Sequence, residues 1–125
     1  MSADVLKDAH VLLLEDYALI NMAMVDLLQE MGCRVTACMY LHEAFAALEN
    51  SLPQAAVLDV NINGLPCYGV AEKLDSKGVP IIFLTGYAWR SVAGKWTSYP
   101  HYHKPCAPAE LEAALVQAVT AHRPR

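Results

Sequence analysis

Three acids, a threonine and a lysine stand where short apolar or alternating runs stop. Glu15-Asp16 follows Val11-Leu-Leu-Leu14, Asp59 follows Ala55 to Leu58, Thr85-Gly86 follows Ile81 to Leu84, and Lys104-Pro105 follows His101 to His103. If the first and third runs are adjacent strands, about 4.8 Å apart, three carboxylates crowd one pocket. Like charges so close raise each other's pKa and cost stability unless something offsets them. A hard divalent cation with oxygen ligands does so, and Mg²⁺ suits a site with few carboxylates and several waters. Lys104 adds a fixed positive charge. A carboxylate is also a competent nucleophile toward phosphorus. Such a transfer needs the oxygens of the moving phosphoryl group neutralised and held. Around Asp59, the acids Glu15 and Asp16, the Thr85 hydroxyl and the Lys104 ammonium are the parts required.

The elements that must carry these residues alternate between strand and helix. Val11 to Leu14 is a continuous apolar run, as in a strand buried on both faces. A helix over Ala18 to Met31 puts Ile20, Met24, Leu27, Leu28 and Met31 on one face, with Asn21, Asp26 and Gln29 elsewhere, and Gly32 stops it. Cys33 to Cys38 is a second strand. Leu41, Ala44, Phe45 and Leu48 have helical spacing, and Ala55 to Leu58 is strand three. A loop from Val60 to about Tyr68, punctuated by Gly64, Pro66 and Gly69, leads to a helix over Val70 to Lys77. Pro80 opens strand four, Ile81 to Leu84. Between Tyr87 and Pro100 one short helix fits around Arg90 to Trp96, against the weakening effect of Gly94. Strand five lies near His101 to His103, and Pro108 sits in the first turn of a last helix lined by Leu111, Leu115, Ala118 and Val119. Strict alternation implies right-handed crossovers and a parallel sheet covered on both faces. The expected fold is α/β: a doubly wound, five-stranded parallel sheet of order 2-1-3-4-5, flavodoxin-like, with its site outside the C-terminal strand ends at the switch between strands 1 and 3.

The totals fit one such domain over residues 1–125. A chain of 125 residues is enough for one core and short for two, and 55% apolar against 18% charged residues predicts a folded chain. The net charge of −4, with no basic block, argues against nucleic acid as a partner. No run approaches the roughly 20 apolar residues that span a bilayer. The opening, Met1 to Asp8, carries acids and no apolar stretch of the kind a signal peptide needs. A cytoplasmic location is expected, with no membrane partner. Cys33, Cys38, Cys67 and Cys106 form no C-x-x-C pair and read as small thiols in a reducing compartment. Cys67, beside Pro66 in the loop, is the one with room for a redox role.

Val11-Leu-Leu-Leu-Glu-Asp16, Ala56-Val-Leu-Asp59, Phe83-Leu-Thr-Gly86 and Lys104-Pro105 resemble the four signatures of response-regulator receiver domains, in order and over nearly the whole chain. Phe83-Leu-Thr-Gly-Tyr87 further resembles a subgroup of single-domain regulators named for a Phe-Ala-Thr-Gly motif, with Leu84 in place of the alanine. The resemblance implies a receiver without an output domain, active in two-component signalling or a phosphorelay. It makes Asp59 the phosphoacceptor. Glu15, Asp16, Asp59 and the backbone carbonyl of Asn61 hold Mg²⁺, Thr85 and Lys104 contact the phosphoryl group, and the Lys104-Pro105 bond is cis. Partners would be a histidine kinase or histidine phosphotransfer protein and an unknown downstream protein. Catalysis would be limited to the domain's own phosphorylation and dephosphorylation. Two positions depart from the family pattern: many receivers carry proline where this chain has Asn63, and an aromatic residue where it has His101.

Other features admit plainer readings. Glu15-Asp16 could cap a helix, and Lys104-Pro105 could be an exposed turn. His101 and His103 are two apart, so a strand points them the same way, as a transition-metal pair would need. Tyr87, Trp89, Trp96, Tyr99 and His101 form a candidate switch and partner surface, or else satellite packing. Tyr87, two beyond Thr85, would limit access of water to the site. Competing functions are a receiver-like scaffold that is never phosphorylated, a flavin- or nucleotide-binding protein on the same fold, and a metal-dependent phosphatase. The flavin reading needs a Gly/Ser/Thr-rich phosphate loop after strand one, where this chain has Glu15-Asp16-Tyr17.

Overall fold

A computed structural model of the chain describes residues 2–86 and 93–121. In chain order the elements are α1 (Ser2–Leu6), β1 (His10–Leu14), α2 (Ala18–Glu30), β2 (Arg34–Cys38), α3 (Leu41–Asn50), β3 (Ala55–Asp59), β4 (Asn61–Ile62), β5 (Leu65–Pro66), α4 (Tyr68–Ser76), β6 (Ile81–Thr85), a 3₁₀ turn (Gly94–Ser98), β7 (His101–His103) and α5 (Pro108–Ala121). The main sheet is parallel with order β2-β1-β3-β6-β7. With the small β4-β5 ribbon set aside, this is the 2-1-3-4-5 order expected from the sequence.

Alternation along the central strands divides the interior in two. Leu12, Leu14, Ala56, Leu58, Ile81 and Phe83 face a core closed by Ala44 and Leu48 of α3 and by Val70, Ala71 and Leu74 of α4. The intervening residues Val11, Leu13, Ala55, Val57, Ile82 and Leu84 face Leu28 of α2 and Leu111, Ala114 and Leu115 of α5. Every residue of β3 and β6 is buried, which is why those strands read as unbroken apolar runs. The outer strands β2 and β7 are mostly exposed or half-buried.

Helix stops follow local chemistry. Gly32, at φ +100°, lets the Cys33 N–H donate to the Leu28 carbonyl at 3.1 Å, and an added Cβ would meet the Lys7 backbone at 3.2 Å. The chain opening carries an element to which the sequence gives no clue. It forms the short helix α1, and Leu6 is fully buried against the α2 and α5 side of the sheet. The apolar residues Ala3, Val5 and Leu6 are too few to show a periodicity that would announce the helix. Phe45 also departs from its expected core position: it is 40% exposed and lies beside Gly69.

The segment after β3 was expected to be a plain loop. Instead β4 and β5 pair antiparallel across Asn63-Gly64, both at positive φ (52° and 85°). Two adjacent residues of this kind make the tight turn whose twist suits a two-residue hairpin, and Asn-Gly is its favoured sequence. The short helix expected around Arg90 to Trp96 lies partly outside the described residues. Its described part is the 3₁₀ turn from Gly94, whose φ of +63° excludes a continuing α-helix there.

Candidate functional site

The C-terminal ends of β1, β3, β6 and β7 open on one cleft of about 570 Å³, whose lining includes Asp16, Asp59, Asn61, Thr85, Gly86 and Lys104. Glu15 lies beneath it, 1% exposed; Asp59 is 5% exposed and Thr85 1%. These residues are distant in sequence and are brought together by the parallel register, which pairs Leu14 with Leu58 and Thr85 with His103.

Each acid is held by a specific donor. Lys104 Nζ donates to Glu15 Oε1 at 2.8 Å and to Asp59 Oδ2 at 2.9 Å. The Tyr17 N–H donates to Glu15 Oε2 at 2.9 Å, and the Asn61 N–H to Asp59 Oδ1 at 3.3 Å. Asp16 Oδ2 accepts the Asn63 N–H at 2.7 Å. The Lys104-Pro105 peptide is cis, as expected from the family resemblance.

Burial sets the electrostatics. It pushes the Asp59 carboxyl above the ordinary aspartate range, against the opposing pull of Lys104. Glu15 is raised for the same reason, again against Lys104. For Lys104, burial works to lower the pKa, but the two carboxylates outweigh it and hold the ammonium above its usual value. Two buried acids that resist ionisation beside one lysine leave room for more positive charge. One carboxylate oxygen each from Glu15, Asp16 and Asp59 lies within 4.8 Å of the others, the one such acidic or metal-ligating group among the described residues. Three oxygen donors beside an open cleft fit a hard divalent cation that keeps several waters.

Two further residues position the site. Asn21 is buried, not on the outer face of α2: its Nδ2 donates to the Glu15 carbonyl at 2.9 Å and to the Cys38 carbonyl at 3.2 Å, tying α2 to the ends of β1 and β2. It stands seven residues before the buried Leu28, two turns away on the same stripe. Asn63 shapes the hairpin and supplies its N–H to Asp16, while its Nδ2 donates to the Met39 carbonyl at 3.3 Å. Proline at this position could not donate that hydrogen bond. The Asn-Gly pair between Ile62 and Leu65 is the sequence mark of that turn.

The expected switch surface divides. Tyr87 and Trp89 lie outside the described residues. Trp96 is 5% exposed, too buried to offer a partner much surface. It stacks on Tyr68 and meets Phe83 and Tyr99 edge-on or tilted. Tyr99 is half-buried in the same cluster and donates its hydroxyl to Asp75. Packing therefore accounts for both. His101 is exposed, with Nδ1 2.8 Å from the Tyr99 carbonyl, whereas His103 Nδ1 is 2.8 Å from Thr85 Oγ1. The two rings engage different partners and do not form a metal pair. Cys67 is fully buried, and burial followed by the charge of Asp59 pushes its thiol up to about 12, which keeps it protonated and unsuited to redox chemistry.

The model of the response regulator receiver domain matches residues 11–116. The chain belongs to that family. As a receiver it is similar to SdrG from Sphingomonas melonis Fr1, at 30% identity over 95% of this chain and 99% of that one, with a TM-score of 0.79. It is also similar to the PhyR stress response regulator, at 28% identity and a TM-score of 0.82, covering 98% of this chain and 49% of PhyR. A CheY-like receiver domain from Methylobacillus flagellatus shares the fold at 19% identity, with a TM-score of 0.79 over 90% of this chain and 99% of that one. No curated protein matches the chain. No helix among the described residues is long and apolar enough to cross a membrane.

Proposed function

We propose that this receiver accepts a phosphoryl group on Asp59 in a Mg²⁺-dependent reaction and passes the signal on by protein–protein contact. The observation that carries the reading is the Lys104 ammonium bridging the buried Glu15 and Asp59 at the floor of an open cleft, with Asp16 and Thr85 on its wall. The donor would be a histidine kinase or histidine phosphotransfer protein, or a small acyl phosphate, in the cytoplasm. A carboxylate oxygen of Asp59 forms the new bond to phosphorus as the donor's P–N or P–O bond breaks, and the leaving group departs with that electron pair.

Glu15, Asp16, Asp59 and the backbone carbonyl of Asn61 would hold the cation. When bound, it neutralises charge on the attacking carboxylate and the moving phosphoryl oxygens. Lys104 supplies a fixed positive charge beside Asp59, and the Thr85 hydroxyl a neutral donor. Burial disfavours the ionised form of Asp59, so positive charge beside it favours the carboxylate that attacks phosphorus. The chemistry serves the domain's own phosphorylation and its reversal, not turnover of an external substrate.

The test is incubation with acetyl phosphate, with and without Mg²⁺. The expected product carries one phosphoryl group in the Mg²⁺ sample alone, and neutral hydroxylamine removes it, as it does acyl phosphates. A hydroxylamine-stable label, or equal labelling without a divalent cation, overturns the reading.

A further inference from the structure

Thr85 closes β6 and His103 closes β7, and the two are register partners in a parallel pair, so their side chains leave the sheet on the same side. There Thr85 Oγ1 and His103 Nδ1 share a hydrogen bond of 2.8 Å. Thr85 is buried and lines the cleft, while His103 is exposed. His101 instead turns its ring back to the Tyr99 carbonyl. Of the two imidazoles on β7, His103 is the one wired to the cleft.

We propose that His103 is a positioning residue for Thr85: its ring holds the hydroxyl while Asp59 is unmodified and releases it when the phosphoryl group arrives. The proposal rests on the phosphoacceptor reading above. A threonine hydroxyl has one proton to donate. With the ring in its Nε2–H tautomer, that proton goes to His103 Nδ1, and the hydroxyl presents only lone pairs to the cleft. A phosphoryl oxygen is an acceptor and needs a donor. Engaging it requires the Thr85 proton to leave Nδ1 and turn to the phosphoryl oxygen. One hydrogen bond, Oγ–H to Nδ1, is exchanged for another, Oγ–H to phosphoryl oxygen, with no proton lost to solvent. The exchange leaves Nδ1 of His103 without its buried partner. The state of a buried hydroxyl is thereby transferred to an exposed ring on the edge strand, where a bound protein can sense it.

Ring-nitrogen NMR of the histidine-labelled full chain tests this, in Mg²⁺ with and without beryllofluoride as the phosphoryl stand-in. In the wild type, the Nδ1 resonance of His103 should be displaced when beryllofluoride is added, while that of His101 stays in place. In Thr85→Ala it should start at the displaced position and not respond. Should Thr85→Ala fail to fold, the wild-type pair of spectra still decides. An unmoved His103 Nδ1, alongside a Gly86 amide that does respond, overturns the role of His103. If neither His103 nor Gly86 responds, the phosphoacceptor reading fails, and the role of His103 falls with it.

Discussion

Replacing Lys104 with methionine keeps most of the side-chain volume and removes the charge that touches both buried carboxylates. The lysine side chain is 18% exposed, against 1% for Glu15 and 6% for Asp59, so water cannot substitute freely. Breaking a buried pair from one side costs about 3–5 kcal/mol, because the orphaned charge stays behind. Here the carboxyls are already biased toward their neutral forms by burial. Proton uptake offers an escape that trims the cost toward the lower end, about 3 kcal/mol at neutral pH. At roughly 4 °C per kcal/mol for a domain of this size, Tm should fall by about 12 °C. The loss should shrink on acidification, as the carboxyls take up protons. Mg²⁺ stabilises both proteins, and the loss should shrink with it to the extent that removing the lysine charge tightens cation binding at the acids. Urea unfolding at two pH values, with and without Mg²⁺, measures all of this. A loss below about 1 kcal/mol, the range of exposed pairs, with no response to pH or Mg²⁺, would refute the picture of a buried, undercompensated acid pair.

Asn63→Pro removes the N–H that Asp16 accepts and cannot adopt φ +52°, so Mg²⁺ affinity measured calorimetrically should weaken about tenfold or more, while Asn63→Gly should keep it. Asn21→Ala withdraws donors from two buried carbonyls and should cost about 2–3 kcal/mol in urea unfolding. Asp59→Asn should stabilise the metal-free protein. A raised carboxyl pKa means that the folded state holds its proton to higher pH than the unfolded one, so this group's contribution falls as pH rises from the ordinary carboxylate range through the raised value. The advantage of Asp59→Asn over wild type should therefore grow with pH across that window and shrink when Mg²⁺ is added; an advantage independent of pH would count against the assignment.

The sequence was legible where one rule acts at a time. Buried central strands such as Ala55–Asp59 and Ile81–Thr85 appear as apolar runs because both faces are covered, and the strict alternation with helices left the parallel order almost no rivals. The acids and Thr85 are visible because they follow such runs, whereas Lys104 follows the short, mostly exposed His101–His103 and stands out beside Pro105. Periodicity sorts Asn21 outward with the other polar residues, whereas its amide is drawn in to the strand-end carbonyls of Glu15 and Cys38, the second of which also accepts the Glu15 N–H. The strands flanking Asn63-Gly64 are too short, at two residues each, to show alternation in the sequence, although the pair itself names its turn. For Trp96 and Tyr99 the sequence leaves partner surface and satellite packing both open, because aromatic density fits either. Trp96 is buried and Tyr99 half-buried because the 3₁₀ turn Gly94–Ser98 brings Trp96 to stack on Tyr68 and both aromatics to meet Phe83 edge-on.

The central claim is that Asp59, among the thirteen acids of the chain, is the group that takes the phosphoryl. Peptide mapping after acetyl phosphate and Mg²⁺, with the acyl phosphate trapped by borohydride reduction, locates it directly. Modification is expected at Asp59 alone in the wild type and not at all in Asp59→Asn. Modification at Asp16 or Glu15 in the wild type, or undiminished labelling of Asp59→Asn, would contradict it.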